Sequence, residues 1–399
     1  MRLEHLPGSV HLTYCTNIHG GETWPEVKAS LAAHVPGIKA KVSPGAPMGL
    51  GLRLSATAAE ELSSDAPFAE LRDFLAAHDL YVFTINAFPY GPFHGTRVKE
   101  HVYQPDWLTP ERVAYTDRTA DILAKLLPAG MPGSISTVPG TFKAIVRGPA
   151  DAQAMAANMA RHVARLVDIA RRTGREIALA LEPEPCCFLE TVDETLGFFR
   201  DHVHSDETTG LLARLAGIDV AAAGAALRRH LGVCYDVCHG AVEYEDPAAA
   251  LAAFERAGIR VAKLQLSSAL RLPAVGAATE AALLAFDDGV YLHQVVQRRD
   301  GAISRFVDLP PALAALRAGN AGGEWRVHCH VPVFLEVAGS LQSTQPTLRQ
   351  ALACVRDRFV SPHLEVETYT WSVLPPQLRQ ASLTDAIAGE MQWVLKELH

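Results

Sequence analysis

The sequence predicts an α/β fold, a (β/α)8 TIM barrel running as a single domain over residues 1–399. Three observations predict it. Short β-rich runs alternate with longer helical patterns, which implies βαβ units and a parallel sheet. Both faces of most of these runs are apolar or small, as strands covered on both sides require. The polar residues on one face come late in the runs, at the rim where barrel enzymes place their chemistry.

The strand runs lie at 11–17, 49–54, 80–86, 133–138, 176–182, 231–236, 260–267, 325–331 and 364–371. Helical patterns fall at 22–34, 58–78, 110–127, 151–172, 247–257 and 347–359. Nine strand runs exceed a barrel of eight by one. The surplus lies after Ser267. There the run 290–297, the turn Arg299-Asp300-Gly301 and the run 303–307 read as a β-hairpin inserted before the last strands. The run 325–331 either pairs with this hairpin or is itself a barrel strand.

Side chains alternate across a strand, so parity separates an outer from an inner face. In 176–182, Ile177, Leu179 and Leu181 oppose Glu176, Ala178, Ala180 and Glu182. In 231–238, Leu231, Val233, Tyr235 and Val237 oppose Gly232, Cys234, Asp236 and Cys238. The same reading sets Tyr81, Phe83 and Ile85 against Val82, Thr84 and Asn86, and Ala262, Leu264 and Leu266 against Lys263, Gln265 and Ser267. Small residues with a final polar group suit a crowded interior that opens onto a site.

Composition narrows the function. The chain has 49% hydrophobic residues and a formal net charge of −8, with no Lys/Arg run to neutralise phosphates, which argues against a nucleic-acid partner. No apolar run is long enough to span a bilayer, and the first ten residues lack a signal-peptide core, so the expected compartment is the cytoplasm. Cys186-Cys187 and Cys234/Cys238 read as small residues filling the interior rather than as a zinc cluster. Neither a phosphate-binding Gly motif nor a Gly-x-Ser-x-Gly elbow is present.

The chemistry is carried by carboxylates and histidines. Glu182 stands in Leu181-Glu182-Pro183-Glu184, Asp236 and His239 in Tyr235-Asp236-Val237-Cys238-His239, and Glu367 in Val366-Glu367-Thr368. Three carboxylates at one barrel mouth repel unless a cation lies between them, and oxygen plus imidazole donors suit Mn²⁺, Mg²⁺, Co²⁺ or Zn²⁺. The competing reading is salt bridges with rim Arg and Lys. His328 and His330 share a strand face and can grip a metal or bond to loops. His293 is placed over the site as a lid residue or on the surface. Lys263 faces inward as a proton shuttle or as the salt-bridge partner of Glu182 or Asp236, and Gln265 lies on the same face. Asn17 and His19 end the first run; Asn86 and His94 flank an aromatic loop that can cover a small ligand.

These residues carry a resemblance. The runs His11-Leu12-Thr13-Tyr14-Cys15-Thr16-Asn17-Ile18-His19, Phe88-Pro89-Tyr90-Gly91-Pro92-Phe93-His94, Tyr291-Leu292-His293-Gln294, Val327-His328-Cys329-His330-Val331-Pro332 and Leu364-Glu365-Val366-Glu367-Thr368-Tyr369-Thr370-Trp371 resemble the xylose-isomerase-like TIM barrel superfamily and, within it, the EboE-type metabolite traffic proteins. The superfamily resemblance implies metal ligands at Glu182, Asp236 and Glu367, with His239 matching the histidine of Asp-x-x-His. One departure stands out: where the epimerases place a histidine ligand, this chain has Gln265, so either Gln265 ligates through its oxygen or His328/His330 supplies the imidazole. The implied function is a metal-dependent sugar or cyclitol isomerase or epimerase in a small-metabolite biosynthesis and traffic pathway. Glu182 and Glu367 would then exchange a substrate proton, Asn17, His19, Asn86, His94, His239 and His293 would line the substrate, and other proteins of the pathway would be partners. The alternatives are a metal-dependent phosphoester hydrolase of the endonuclease IV-like branch and a non-catalytic metabolite carrier.

Overall fold

The computed structural model describes residues 1–94, 98–338, 341–371, 374–376 and 382–399. Eight parallel strands form its centre: β1 His11–Tyr14, β2 Met48–Arg53, β3 Leu80–Asn86, β4 Gly133–Thr137, β5 Ile177–Leu181, β6 Leu231–Asp236, β7 Val261–Leu266 and, at the end of the chain, β14 His363–Val366. Six further strands, β8 Leu270–Leu272, β9 Val295–Arg299, β10 Ala302–Phe306, β11 Glu324–Val327, β12 Val337–Ala338 and β13 Leu341–Ser343, lie between β7 and β14. The parallel order is β1-β14-β7-β6-β5-β4-β3-β2, which leaves β1 and β2 as its two ends. These ends meet through a parallel bridge between Cys15 and Gly51. Side-chain hydroxyls complete the seam. Thr13 Oγ1 donates to Gly49 O and accepts from Gly51 N, both at 2.9 Å, and Thr16 Oγ1 accepts from Arg53 N at 2.8 Å. Threonine here does the work of ladder amides that the short first strand does not supply.

The strands are buried on both faces, as the parallel arrangement requires. Outside, Leu12, Leu50, Leu52, Leu179, Leu181, Val233 and Leu264 pack under the helices in one extensive core. Inside, Ala178, Ala180, Cys234 and Ala262 form a separate small cluster. Ala262 departs from the parity expectation. The β6–β7 register shifts after Val233, so Val233 pairs with Val261 but Cys234 pairs with Lys263, and the extra residue Ala262 turns inward. A second shift, where Leu50 pairs with Val82 but Gly51 pairs with Thr84, brings Phe83 to the interior beside His363, at 4.7 Å between ring centroids. A bulge puts two residues of one strand opposite one of its neighbour, and simple alternation fails there.

The surplus element is resolved. β11 pairs antiparallel with β8 and β9, so the run at 325–331 belongs to the inserted structure and not to the barrel. The insertion exceeds a hairpin: it is a six-stranded sheet of order β10-β9-β11-β8-β13-β12. The hairpin itself is β9–β10, turning at Asp300 and Gly301, both with positive φ. The helical pattern at 58–78 also divides, into Ala56–Glu61 and Asp65–Ala77, because Ser63 and Ser64 offer a stop and a new start. Among the described residues no single helix is long and apolar enough to cross a membrane.

Candidate metal centre

Each carboxylate sits at a strand end or one residue past it, fixed by local chain chemistry. Asp236 ends β6 and caps the helix Val237–Val242. Its Oδ1 accepts from the backbone N of Cys238 (2.6 Å) and of His239 (3.2 Å), and from the Ser267 hydroxyl. An aspartate at this position satisfies otherwise open N–H groups of the first turn. Its Oδ2 is left buried without a hydrogen-bond partner. Glu182 follows β5, its N–H donating to Thr137 O, and Pro183 after it holds the chain extended. Its Oε2 is also buried and unpartnered. Glu367 follows β14; its Oε1 accepts from Asn17 Nδ2 at 2.7 Å and Asn86 Nδ2 at 3.2 Å. Ligand oxygens of Glu182, Asp236 and Glu367 lie within 4.8 Å of one another.

Three histidines close on the same spot, each with its proton fixed. His239 Nδ1 donates to Pro183 O at 2.8 Å and His330 Nδ1 to Glu367 O at 2.7 Å. His328 Nδ1 donates to Gln294 Oε1 at 2.8 Å, an orientation set by the Gln294 amide, whose Nε2 donates to Tyr103, Glu184 and Pro185. With Nδ1 protonated, Nε2 carries the lone pair. His239 Nε2 is 3.7 Å and His330 Nε2 3.8 Å from Asp236 Oδ2, and the Nε2 atoms of His328 and His330 are buried without partners. Asp236, His239 and His330 form a second compact donor group, and Cys238, His328 and His330 a third. An imidazole fixed through Nδ1–H to a carbonyl is the usual support of a metal-bound histidine.

The electrostatics fit an ion. Burial, then the nearby Asp236 charge, pushes the Glu182 carboxyl well above its ordinary range. Burial, then Glu182 and Asp236, does the same to Glu367. Burial also opposes ionisation of Asp236, but the imidazoles of His239 and His330 and the Ser267 hydrogen bond outweigh it and hold the carboxyl low. Three carboxyls that oppose one another's ionisation, with Glu182 Oε2 and Asp236 Oδ2 unpartnered and Glu367 beside them, fit a cation between them. No Arg or Lys pairs with any of the three among the described residues.

A pocket opens above this centre. Asn17, Asn86, Glu182, Glu184, His239, His328 and Glu367 contribute its polar lining; Phe88, Phe93, Tyr103, Tyr291 and Tyr369 contribute aromatic walls. Phe93, Tyr291 and Tyr369, from three distant segments, pack with ring centroids 5.2–5.3 Å apart. His94 ties the loop of residues 86–94 to the barrel and the insertion, through Asn17 O and the Tyr291 hydroxyl. Lys99 donates to Tyr291 O (2.7 Å) and pairs with Asp308 (2.6 Å).

Other expected residues lie elsewhere. Gln265 is fully buried on the inner face, paired in register with Asp236 and Glu365, and both its amide oxygen and its amide nitrogen are buried without a hydrogen-bond partner. Imidazoles reach Asp236 from His239 and His330. Lys263 pairs with Glu365, not with Glu182 or Asp236, and donates to Ser136 Oγ at 3.2 Å. His19 stacks on His34 at 4.6 Å and meets Tyr14 Oη at 3.0 Å, outside the pocket lining. His293 is buried beside Asp288, 3.4 Å away. Sequence reasoning missed Glu184, a pocket carboxyl that burial pushes up to about 7 and that accepts from Tyr103 Oη at 2.7 Å. The signal was at hand in Glu182-Pro183-Glu184: a second acid just past the first at a strand end.

No family model matches the chain, and no curated protein matches it. Solved structures resemble it in outline. The IOLI protein with a binding zinc atom is 12% identical at a TM-score of 0.48, over 98% of this chain and 98% of that one. A xylose isomerase-like TIM barrel protein from Mycobacterium smegmatis in complex with magnesium is 13% identical at 0.48, over 98% and 96%. L-ribulose 3-epimerase is 12% identical at 0.47, over 98% and 94%. Likeness at this level carries no functional weight, and the barrel assignment rests on the strand order and seam described above.

Proposed function

We propose that the chain is a metal-dependent isomerase or epimerase of a sugar or cyclitol-like metabolite, working as a single barrel domain in the cytoplasm. The observation that carries this reading is the meeting of three buried carboxylates, two of them with an unpartnered oxygen (Glu182 Oε2 and Asp236 Oδ2), with imidazoles whose Nε2 lone pairs are fixed near them. Glu182, Asp236 and Glu367, with His239, hold a divalent ion of the Mn²⁺, Mg²⁺, Co²⁺ or Zn²⁺ kind. Such an ion supplies Lewis acidity, polarising a substrate carbonyl and stabilising the negative charge that develops beside it.

The chain's own groups do the rest. Glu182 and Glu367 remove and return the proton on the carbon next to the carbonyl. Asn17 and Asn86 hold Glu367 in place and present their remaining polar atoms to substrate hydroxyls. Glu184, backed by Tyr103, is a further proton-exchanging group at the pocket wall. The aromatic cluster of Phe93, Tyr291 and Tyr369 covers the substrate and excludes water. Lys263, bound to Glu365 and Ser136, acts as a fixed positive charge under the site. We further propose, from the EboE-type resemblance of the sequence alone, that this activity serves a small-metabolite pathway with other proteins as partners.

The test is a panel of ketoses and inososes incubated in deuterium oxide with the manganese-loaded protein. Epimerised product with solvent deuterium at the exchanging carbon is expected. Glu367→Gln is expected to lower that turnover by about 10²–10⁴-fold with an unchanged circular dichroism spectrum. Turnover retained in the variant excludes the scheme. Phosphoester hydrolysis without exchange favours instead the hydrolase reading, for which the cluster of His239, His328 and His330 supplies the extra imidazoles.

A further inference from the structure

We propose that Cys238, His328 and His330 form a separate zinc site that fastens the inserted sheet to the barrel. The donor atoms of these three buried residues lie within 4.8 Å of one another. They come from two different parts of the fold. Cys238 lies in the first turn of the helix Val237–Val242, directly behind β6 of the barrel. His328 and His330 follow β11, the strand that pairs with β8 and β9 of the insertion.

The two imidazoles are set for a ligand. Each donates its Nδ1–H to an oxygen, and each leaves Nε2 fully enclosed with no partner. An enclosed lone pair without a donor costs free energy, which an ion at this point would recover. A thiol with two imidazoles is the donor set that zinc accepts readily and that magnesium and manganese do not. It differs in kind from the all-oxygen trio of Glu182, Asp236 and Glu367 next to it.

His330 is within reach of both neighbourhoods, and one lone pair serves one ion. His239 resolves the conflict: its Nε2 stands as close to Asp236 Oδ2 (3.7 Å) as that of His330 (3.8 Å). His239 therefore serves the carboxylate centre and frees His330 for Cys238 and His328, with Asp236 between the two ions. Binding releases the Cys238 thiol proton to solvent and forms the sulfur–zinc bond. The zinc then ties the insertion to the barrel at the point where the insertion roofs the pocket. The site goes beyond the isomerase reading and stands without it.

Cobalt(II) substituted into chelator-stripped, reduced protein reports the thiolate directly. The wild-type chain should show a near-ultraviolet thiolate-to-cobalt charge-transfer band. Cys238→Ser should abolish the band and remove one bound ion per chain; His328→Gln should weaken cobalt binding; Glu367→Gln should keep the band. A wild-type protein that binds cobalt without the band overturns the site, whether or not any variant folds, and so does a band that survives Cys238→Ser. One bound ion with the band present supports this site and counts against the carboxylate centre, so the two readings fail separately.

Discussion

Glu367 shows how much of the proposed site depends on residues outside its donor groups. Its Oε1 is held by amides from the turn after β1 and from the end of β3, Asn17 at 2.7 Å and Asn86 at 3.2 Å. Hydrogen bonds to a charged group contribute roughly 1.5–3 kcal/mol each, so Asn17→Ala should cut kcat/KM by about 10–100-fold while metal content stays at the wild-type level. Metal loss equal to the activity loss would mean that Asn17 serves ion binding and not proton exchange. At this scale the sequence was readable for the carboxylates, because Glu182, Asp236 and Glu367 each follow an apolar strand run, and for His239, because Asp-x-x-His places it one turn into the capped helix. Asn17 and Asn86 line the pocket where the sequence placed them, but their grip on Glu367 was not readable, since it joins positions 350 and 281 residues apart. Nor was the sequence readable for Lys263, whose partner Glu365 sits on the neighbouring strand β14, paired with β7.

The strands and the insertion are the scale at which packing decides the outcome. Gly51 lies at the barrel seam, where an added Cβ would meet Tyr14 O at 2.8 Å and overlap the Glu365 carboxylate. Glu365 cannot retreat, because it is bound to Lys263. Gly51→Ala should therefore destabilise the fold by about 1–3 kcal/mol, read as a lower denaturant midpoint; an unchanged midpoint would mean that the seam is loose. Glu390, on the helix Leu383–Leu398, joins three segments by accepting from Thr368 Oγ1 (2.6 Å), Trp371 Nε1 (3.0 Å) and Val333 N (3.1 Å). Burial pushes its carboxyl up to about 7. The folded chain thus keeps a proton that the unfolded chain releases above its ordinary range, so Glu390 lowers stability as pH rises toward 7 and adds no further slope above it. Glu390→Gln should flatten the fall in unfolding free energy between about pH 5 and pH 8; an unaltered slope would remove Glu390 from the account. Element types were legible from periodicity, but the inward turn of Phe83 and Ala262 was not, because a bulge depends on the neighbouring strand. The run at 325–331 was ambiguous for a related reason: its apolar alternation suits either sheet, and only pairing with β8 and β9 distinguishes them.

Across the whole molecule, the fold is a closed parallel sheet with an antiparallel sheet hung from the β7–β14 connection. The barrel supplies acids to its mouth, and the insertion supplies His328, His330, Tyr291 and Gln294 over them. The eightfold alternation made the barrel legible; the size of the insertion was not, since its short strands carry little periodicity. Stripping ions should leave three buried acids facing one another and lower the melting temperature. Restoring manganese at a hundredfold excess over its dissociation constant should recover about 2.7 kcal/mol, and a melting temperature indifferent to chelator and manganese would contradict this. The most direct measurement is anomalous-difference density from a manganese-soaked crystal. The account predicts a peak bounded by Glu182, Asp236 and Glu367. Density that lacks this peak, with the three carboxyl groups turned away from one another, would contradict it.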